Sequence, residues 1–172
     1  MRENMYELTA VLADAATLVR ATAGWKHAVV VPLREGICLL PVSGELFTEM
    51  FGALRKICAD GPSAESPFLY PVGPALEELL AAWSTERPVA YVEAEFFGGD
   101  GYQSAAVWSG GTRVWGPVFD ETLAGPRTDR PINGALARLG VQGGSPTYDL
   151  FDAVGLGRER STEGWLARGR TL

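Results

Sequence analysis

Histidine and cysteine, on which most metal sites and many catalytic sites depend, are scarce in this sequence. The 172 residues contain one histidine, His27, and two cysteines, Cys38 and Cys58. Neither cysteine belongs to a Cys-x-x-Cys pair, and no histidine-rich stretch accompanies them, which argues against a zinc site or a disulfide framework. We therefore expect no metal, no cofactor, two small apolar thiols and a reducing, cytoplasmic compartment.

Lysine is also rare, and positive charge is in the minority. The chain has 15 lysines and arginines against 21 acidic residues, for a formal net charge of −6. This balance argues against binding to nucleic acid or to anionic membranes, because both require clustered positive charge. It permits a basic protein partner, although many domains are acidic for solubility alone.

Long hydrophobic runs are missing as well. No stretch approaches the roughly 18 apolar residues that a membrane-spanning helix requires. Met1-Arg2-Glu3-Asn4 carries an acid and leads into an amphipathic stretch, which is not typical of a signal peptide. With 47% hydrophobic and 21% charged residues, the composition indicates one soluble globular domain over residues 1–172.

Apolar residues that recur at helical spacing predict several helices. Ser43 and Ser161 are placed to cap two of them, and prolines at the first turn favour two others. The predicted helices cover residues 7–22, residues 43–59, a segment that Gly73-Pro74 opens, a short segment from Pro131 to Gly140, and a last segment after Ser161.

Runs rich in β-branched and aromatic residues predict strands between these helices. The turns Arg34-Glu35-Gly36 and Gly110-Gly111 suit hairpins. The fold class we expect is α+β, with a mainly antiparallel sheet of about five strands, a meander at 89–119, and helices packed on one side of the sheet. The predicted strands are 27–33, 37–42, 89–97, 102–108 and 112–119, with 68–71 as a short extended piece and 148–156 as a candidate final strand.

Glu93 and Glu95 are the first candidates for chemistry, because residues two apart on a strand face the same side. Two adjacent carboxylates repel, so one could have a raised pKa and act as a general acid or base. Together with Asp100 they could instead bind a divalent cation. A solvated strand face is the simpler interpretation, since antiparallel sheets commonly present one polar side.

The second candidate is the loop Gly98-Gly99-Asp100-Gly101, which leads into Tyr102 and Gln103. Its glycines would let backbone N–H groups approach an anion. Phosphate-binding loops of the familiar kinds run from a strand into a helix, whereas this one runs from strand to strand. The sequence therefore favours a flexible hairpin tip over an anion site.

Arg158 and Arg160, just before the last predicted helix, form the third candidate. Two arginines at a helix N-terminus could clamp a phosphate or a carboxylate. They could equally pair with Glu93 or Glu95 and close the C-terminus onto the sheet, which needs no ligand. Nucleophilic catalysis has little support, because no Gly-x-Ser-x-Gly elbow occurs and His27 stands alone.

Two segments carry a resemblance to other proteins. The stretches YVEAEFFGGDGYQSAAVW, residues 91–108, and FDAVGLGRERSTEGWL, residues 151–166, resemble a loose group of small uncharacterised actinobacterial proteins. Proteins of this kind are similar in size and character to the small immunity proteins that inhibit a toxin. The resemblance implies a protein partner and assigns no functional residue.

From these observations we predict a non-enzymatic protein-interaction module, an immunity-like inhibitor that binds its partner through an acidic surface. One alternative is a small-ligand or acid/base site around Glu93, Glu95, Arg158 and Arg160, and another is a subunit that self-associates through an exposed sheet edge. The candidate binding residues are Glu93, Glu95, Asp100, Tyr102, Gln103, Arg158 and Arg160.

Overall fold

The structure is a computed structural model that describes residues 5–98, 100–123, 125–145 and 148–172. Its strands form a sheet in the order β2-β3-β1-β4-β5-β6, and each neighbouring pair is antiparallel. The strands are β1 (Met5–Asp14), β2 (Val31–Pro32), β3 (Ile37–Pro41), β4 (Val89–Phe97), β5 (Asp100–Ser109) and β6 (Thr112–Asp120). The predicted α+β class and the meander at 89–119 are confirmed.

Helices cover both faces of this sheet. They are α1 (Ala15–Ala21), α2 (Gly44–Phe51), α3 (Pro74–Trp83), α4 (Pro131–Arg138), α5 (Leu150–Val154) and α6 (Thr162–Arg170). One face, here called the α4 face, packs its apolar side chains against α4, α5 and α6. The other, the α3 face, packs against α1, α2 and α3. The expectation of helices on one side only is therefore wrong, and the central strands are buried on both sides.

The helix predicted over residues 7–22 is wrong for its first half. Met5–Asp14 is a central strand, paired with β3 on one side and β4 on the other. Leu8 and Leu12 point to the α4 face, whereas Val11 points to the α3 face. Because both faces are buried, apolar residues do not alternate strictly along β1, and their spacing imitates a helix.

The bounds of three other predicted elements are also wrong. α2 ends at Phe51 rather than near residue 59, because Gly52 takes the left-handed conformation that closes a helix (φ 68°). The candidate strand 148–156 is instead the short helix α5, which starts where the backbone N–H of Asp152 donates to Oδ1 of Asp149 (3.0 Å). The strand predicted from His27 shrinks to Val31–Pro32.

Other local predictions are confirmed. Glu35 and Gly36 have positive φ in the β2–β3 turn, as do Gly110 and Gly111 between β5 and β6. Ser43 caps α2 and Ser161 caps α6 through their side chains. Within the described ranges, no helix is long and apolar enough to cross a lipid bilayer. Met1–Asn4 and Gly99, on which the expectations for the N-terminus and the glycine loop partly depended, lie outside the described residues.

Candidate functional site

Four of the seven predicted site residues come together at one end of the α3 face, namely Glu93, Glu95, Asp100 and Tyr102. Glu93 and Glu95 share that face because they alternate with Ala94, which packs on the α4 face. Tyr102 is directly opposite Glu95 in the antiparallel register. This end of the sheet therefore contains most of the predicted binding residues.

Glu93 is buried and fully engaged rather than solvated. Its residue is 1% exposed. Oε1 accepts from the backbone N–H of Leu69 (2.7 Å) and from the hydroxyl of Tyr102 (3.2 Å), and Oε2 accepts from the backbone N–H of Tyr70 (3.0 Å). The interpretation of Glu93 as part of a solvated strand face is wrong, because its carboxylate binds a crossing segment of chain.

That crossing segment, residues 67–70, is called the strap from here on. The Ser104 hydroxyl donates to the carbonyl of Pro67, and the Tyr91 hydroxyl donates to the carbonyl of Tyr70 (3.4 Å). Phe68 meets Tyr91 edge to face, with ring centroids 5.0 Å apart. Buried hydrogen bonds and one aromatic contact thus fasten an irregular segment to the sheet.

Burial raises the pKa of Glu93 to about 7, although the hydrogen bonds from Tyr70, Leu69 and Tyr102 and the charge of Arg55 oppose the increase. The raised pKa that the sequence predicted is present, but its leading cause is burial rather than repulsion from Glu95. Burial and then the charge of Glu93 also raise the pKa of the Tyr102 hydroxyl. The pair is arranged to hold the strap, and Glu93 has little surface open to a substrate.

Beyond the strap, the α3 face carries aromatic and acidic side chains that are partly or largely exposed among the described residues. Phe97 is 59% exposed and Met5, opposite it in the register, is 38% exposed. Asp100 is exposed and pairs with Phe97 across the hairpin. We call this surface the acidic–aromatic end; it comprises Met5, Glu95, Phe97, Asp100, Tyr102 and Phe119.

Within the described residues, the acidic–aromatic end combines carboxylates that form no ion pair with an aromatic ring that is held in place. In the part of the chain that the structure describes, neither Glu95 nor Asp100 has an ion-pair partner. Tyr102 is stacked on Phe119 with centroids 5.9 Å apart, and Glu93 holds its hydroxyl. Gly101 lets the strands approach closely, because a Cβ there would collide with the carbonyl of Glu95.

Gln103 lies on the opposite face and has a structural role. Its Oε1 accepts from the backbone N–H of Ile132 (3.0 Å), in the first turn of α4. This bond satisfies one of the N–H groups that a helix start leaves without an intrahelical partner. Gln103 therefore positions α4 and does not join Glu93 and Glu95.

The two arginines are not brought to the carboxylates. Arg158 donates through Nε to the carbonyl of Gly155 (3.2 Å) and lies near the Trp165 ring. Arg160 is exposed, and its carbonyl accepts from the N–H of Glu7 (2.9 Å). Among the described residues neither arginine forms an ion pair with Glu93 or Glu95, so the predicted pairing does not close the C-terminus onto the sheet.

Thr162 performs that closure instead. Its Oγ1 accepts from the N–H of Thr9 (3.0 Å), and its hydroxyl and N–H donate to the carboxylate of Glu7 (2.7 and 3.2 Å). These bonds fasten the start of α6 to the edge of β1. No sequence signal marked Thr162, because its partners are more than 150 residues away.

Glu49 is a second carboxylate that anchors an irregular segment, and no sequence pattern indicated this role. Oε2 of Glu49 accepts from the N–H of Lys26 (2.7 Å), and Oε1 accepts from the N–H of His27 (2.7 Å) and lies 3.2 Å from its Nδ1. Glu49 and Glu93 thus both bind two consecutive backbone N–H groups of an irregular segment. A surface cavity of about 720 Å³ adjoins this anchor and is lined by His27, Gly44, Glu45, Thr48, Glu49 and Leu54.

A buried polar cluster joins α4 to α5. The side-chain N–H of Asn133 donates to Oδ2 of Asp149 (2.9 Å), which also lies 3.3 Å from Nε of Arg127. Burial alone would raise the pKa of Asp149. The hydrogen bonds from Asn133 and Asp152 and the charge of Arg127 outweigh burial and lower the pKa of Asp149. The cluster is saturated internally, and the described residues include no group of three or more histidine, cysteine or acidic side chains that could hold a metal ion.

Comparison with protein families, with curated proteins and with solved structures found no match to this chain. The geometry defines an α+β domain with a six-stranded antiparallel sheet between two layers of helices.

Proposed function

We propose that this protein is a non-enzymatic interaction module that binds a basic protein partner through the acidic–aromatic end of its sheet. The observation that carries the proposal is the exposed Phe97, with Asp100 opposite it in the register and Glu95 on the same face of its strand, two carboxylates that lack ion-pair partners among the described residues. Aromatic anchors with a charged rim are typical of protein interfaces. The net charge of −6 favours encounter with a positively charged surface.

The strap supports this function by fixing the surface in advance. Glu93 holds the Tyr102 hydroxyl and two strap N–H groups at once, and Phe119 stacks on the Tyr102 ring. A rigid surface loses less conformational entropy when it binds. In this proposal Glu93 and Tyr102 support the interface from below, whereas Glu95, Phe97 and Asp100 touch the partner.

The particular form of the proposal is an immunity-like inhibitor. Its size, its acidic charge and its resemblance to small immunity proteins favour this form over other interaction modules. A cytoplasmic location belongs to the same proposal and agrees with Cys38 and Cys58 being separate free thiols.

The small-ligand alternative has weaker geometric support. It requires Glu93, Glu95, Gln103 and the two arginines in one cleft. Gln103 lies on the α4 face, Arg158 packs near Trp165 of the same face, and Glu93 lies under the strap. Pairing at the exposed edge of β6 is also disfavoured, because Pro117 lacks an N–H and the register with β5 is interrupted twice.

The test is a pull-down of the tagged full chain from its native cytosol, with mass spectrometry of the retained proteins. We expect one stoichiometric basic protein, retained by the native chain and lost when Glu95→Lys and Asp100→Lys are combined. The matched control combines Glu78→Lys on α3 with Glu163→Lys on α6, two exposed acids outside this surface. Loss of the partner by both double variants, or no retained protein at all, would contradict the proposal.

A further inference from the structure

The part of the chain that contains the strap is only lightly attached to the rest of the fold. Residues 61–73, all of which the structure describes, form no helix or strand, and Phe68 is the only buried residue among them. Gly61 at one end has a positive φ of 77°, and Gly73 at the other end precedes the first turn of α3. An irregular segment with one buried side chain costs less free energy to detach than a strand of the sheet.

The hydrogen bonds that hold the strap converge on a small area of the sheet. The N–H groups of Leu69 and Tyr70 both donate to one carboxylate, that of Glu93. The hydroxyls of Ser104 and Tyr91 donate to strap carbonyls on either side of these N–H groups. Because one side chain binds two consecutive N–H groups, a change in its charge acts on the whole strap at once.

Part of the underside of the strap is not packed. A cavity of about 160 Å³ is lined by Pro67 and Phe68 of the strap and by Ala106 and Trp108 of the sheet. The strap therefore does not form a closed layer over the α3 face, and water has a route to its edge.

We propose that the strap is a latch that opens as a local unit while the strands stay paired, and that ionisation of the Glu93 carboxyl favours the open state. A buried carboxylate lacks most of its hydration, and lifting the strap restores it. The open state uncovers Tyr91 and Glu93, which adjoin the acidic–aromatic end through Tyr102. The latch is a property of the free chain, so it does not depend on whether a partner binds that end.

The groups around Glu93 determine the direction of the pH dependence. They are Glu7 on β1, Tyr91 and Glu95 on β4, Tyr102 on β5, and Arg55 and Tyr70 between α2 and α3. Burial raises the pKa of Tyr91 and of Tyr102, so both hydroxyls stay neutral near pH 7. Burial also outweighs the charge of Arg55 and raises the pKa of Glu93 from 4.5 to about 7 while the strap is closed. The closed state is therefore favoured below pH 4.5 and loses this advantage as the pH rises through 7.

Hydrogen exchange of the purified full chain, followed by NMR at several low urea concentrations, tests local opening. Protection is the exchange rate of an unfolded chain divided by that of the protein. We expect protection at Leu69 and Tyr70 to be at least about tenfold lower than at Leu12 and Val92 in the central strands, and to depend less on urea. Equal protection and equal urea dependence at strap and sheet amides would overturn the latch.

The same measurement between pH 5 and pH 8 tests the control by Glu93. Protection at Leu69 and Tyr70 is expected to fall by roughly 50-fold over this range. Glu93→Gln, which keeps an acceptor oxygen but cannot ionise, is expected to reduce the change to less than about twofold. Glu65→Gln, at an exposed acid of the same segment, is the matched control and should keep the native pH dependence.

Protection that is constant or rises with pH in the native chain would overturn the proposal, as would a pH dependence that survives Glu93→Gln. Circular dichroism confirms that the variants are folded. If Glu93→Gln does not fold, the urea and pH series of the native chain, compared with Glu65→Gln, still decides between the outcomes.

Discussion

At the residue scale, the sequence identified Glu93 as a candidate site residue but did not predict the role that its side chain has in the structure. The alternation along β4 correctly placed Glu93 and Glu95 on one face, because period two is a property of any strand. It could not show that Glu93 is covered, since the covering strap is 23 to 24 residues away and has no regular pattern. Burial converted a predicted surface acid into a buried anchor.

The titration of Glu93 leads to a prediction about stability. Its pKa is about 7 in the folded protein against an ordinary value of 4.5. The folded state therefore holds this proton more tightly, and the stability that results is present below pH 4.5 and is lost as the pH rises through 7. At about 1.4 kcal/mol per pKa unit, the loss is roughly 3 kcal/mol.

Glu93→Gln removes this titration, although it also disturbs the strap. We expect the unfolding free energy of the native chain, minus that of Glu93→Gln, to fall by roughly 3 kcal/mol between pH 4.5 and pH 8, measured by urea denaturation. Glu163→Gln serves as the control for removing one acid from the surface. A difference that stays constant or increases with pH would show that hydrogen bonding to the carboxylate outweighs burial.

At the element scale, local sequence patterns correctly predicted several helix caps and turns. Contacts with neighbouring strands instead decided whether some segments form a helix or a strand. The caps at Ser43 and Ser161 and the turn at Gly110-Gly111 involve residues only a few positions apart, so the local sequence is sufficient to predict them. β1 is different. Its apolar spacing satisfied a helix pattern, and pairing with β3 and β4 made it a strand.

The docking of α6 provides the element-scale prediction. Thr162→Val keeps the shape of the side chain but leaves the N–H of Thr9 and the carboxylate of Glu7 without their hydroxyl partner. We expect a loss of about 1–3 kcal/mol in unfolding free energy, together with faster hydrogen exchange at the N-terminal half of β1. Thr112→Val, at an exposed strand start, is expected to change stability by less than about 0.5 kcal/mol. Equal effects of the two substitutions would show that the contact with β1 is not what holds α6.

At the scale of the whole molecule, the distribution of charge matters more than its total. Several acids are paired or act as anchors, such as Glu93, Glu49 and Asp149. Glu95 and Asp100 are not paired among the described residues, and they flank exposed aromatic surface. The net charge alone could not distinguish these two groups of carboxylates.

The whole-molecule prediction concerns the salt dependence of partner binding. Raising the salt from 0.1 M to 1 M shortens the screening length from about 10 Å to about 3 Å. We expect the association rate with the partner recovered by the pull-down to fall by about tenfold or more, measured by surface plasmon resonance. The control double variant at Glu78 and Glu163 should keep most of this dependence. A rate that does not change with salt would contradict an interface guided by the acidic–aromatic end.

Features that depend on neighbours along the chain could be predicted from the amino-acid order alone. They include the β4–β6 meander, the tight turns, the caps at Ser43 and Ser161 and the shared face of Glu93 and Glu95, because these follow from backbone geometry over a few residues. Long-range packing is what makes β1 a central strand, covers both faces with helices, buries Glu93 under the strap and lets Thr162 fasten α6. Each of these depends on burial or hydrogen bonding between segments far apart in sequence, up to 155 residues for Glu7 and Thr162, which no local pattern encodes.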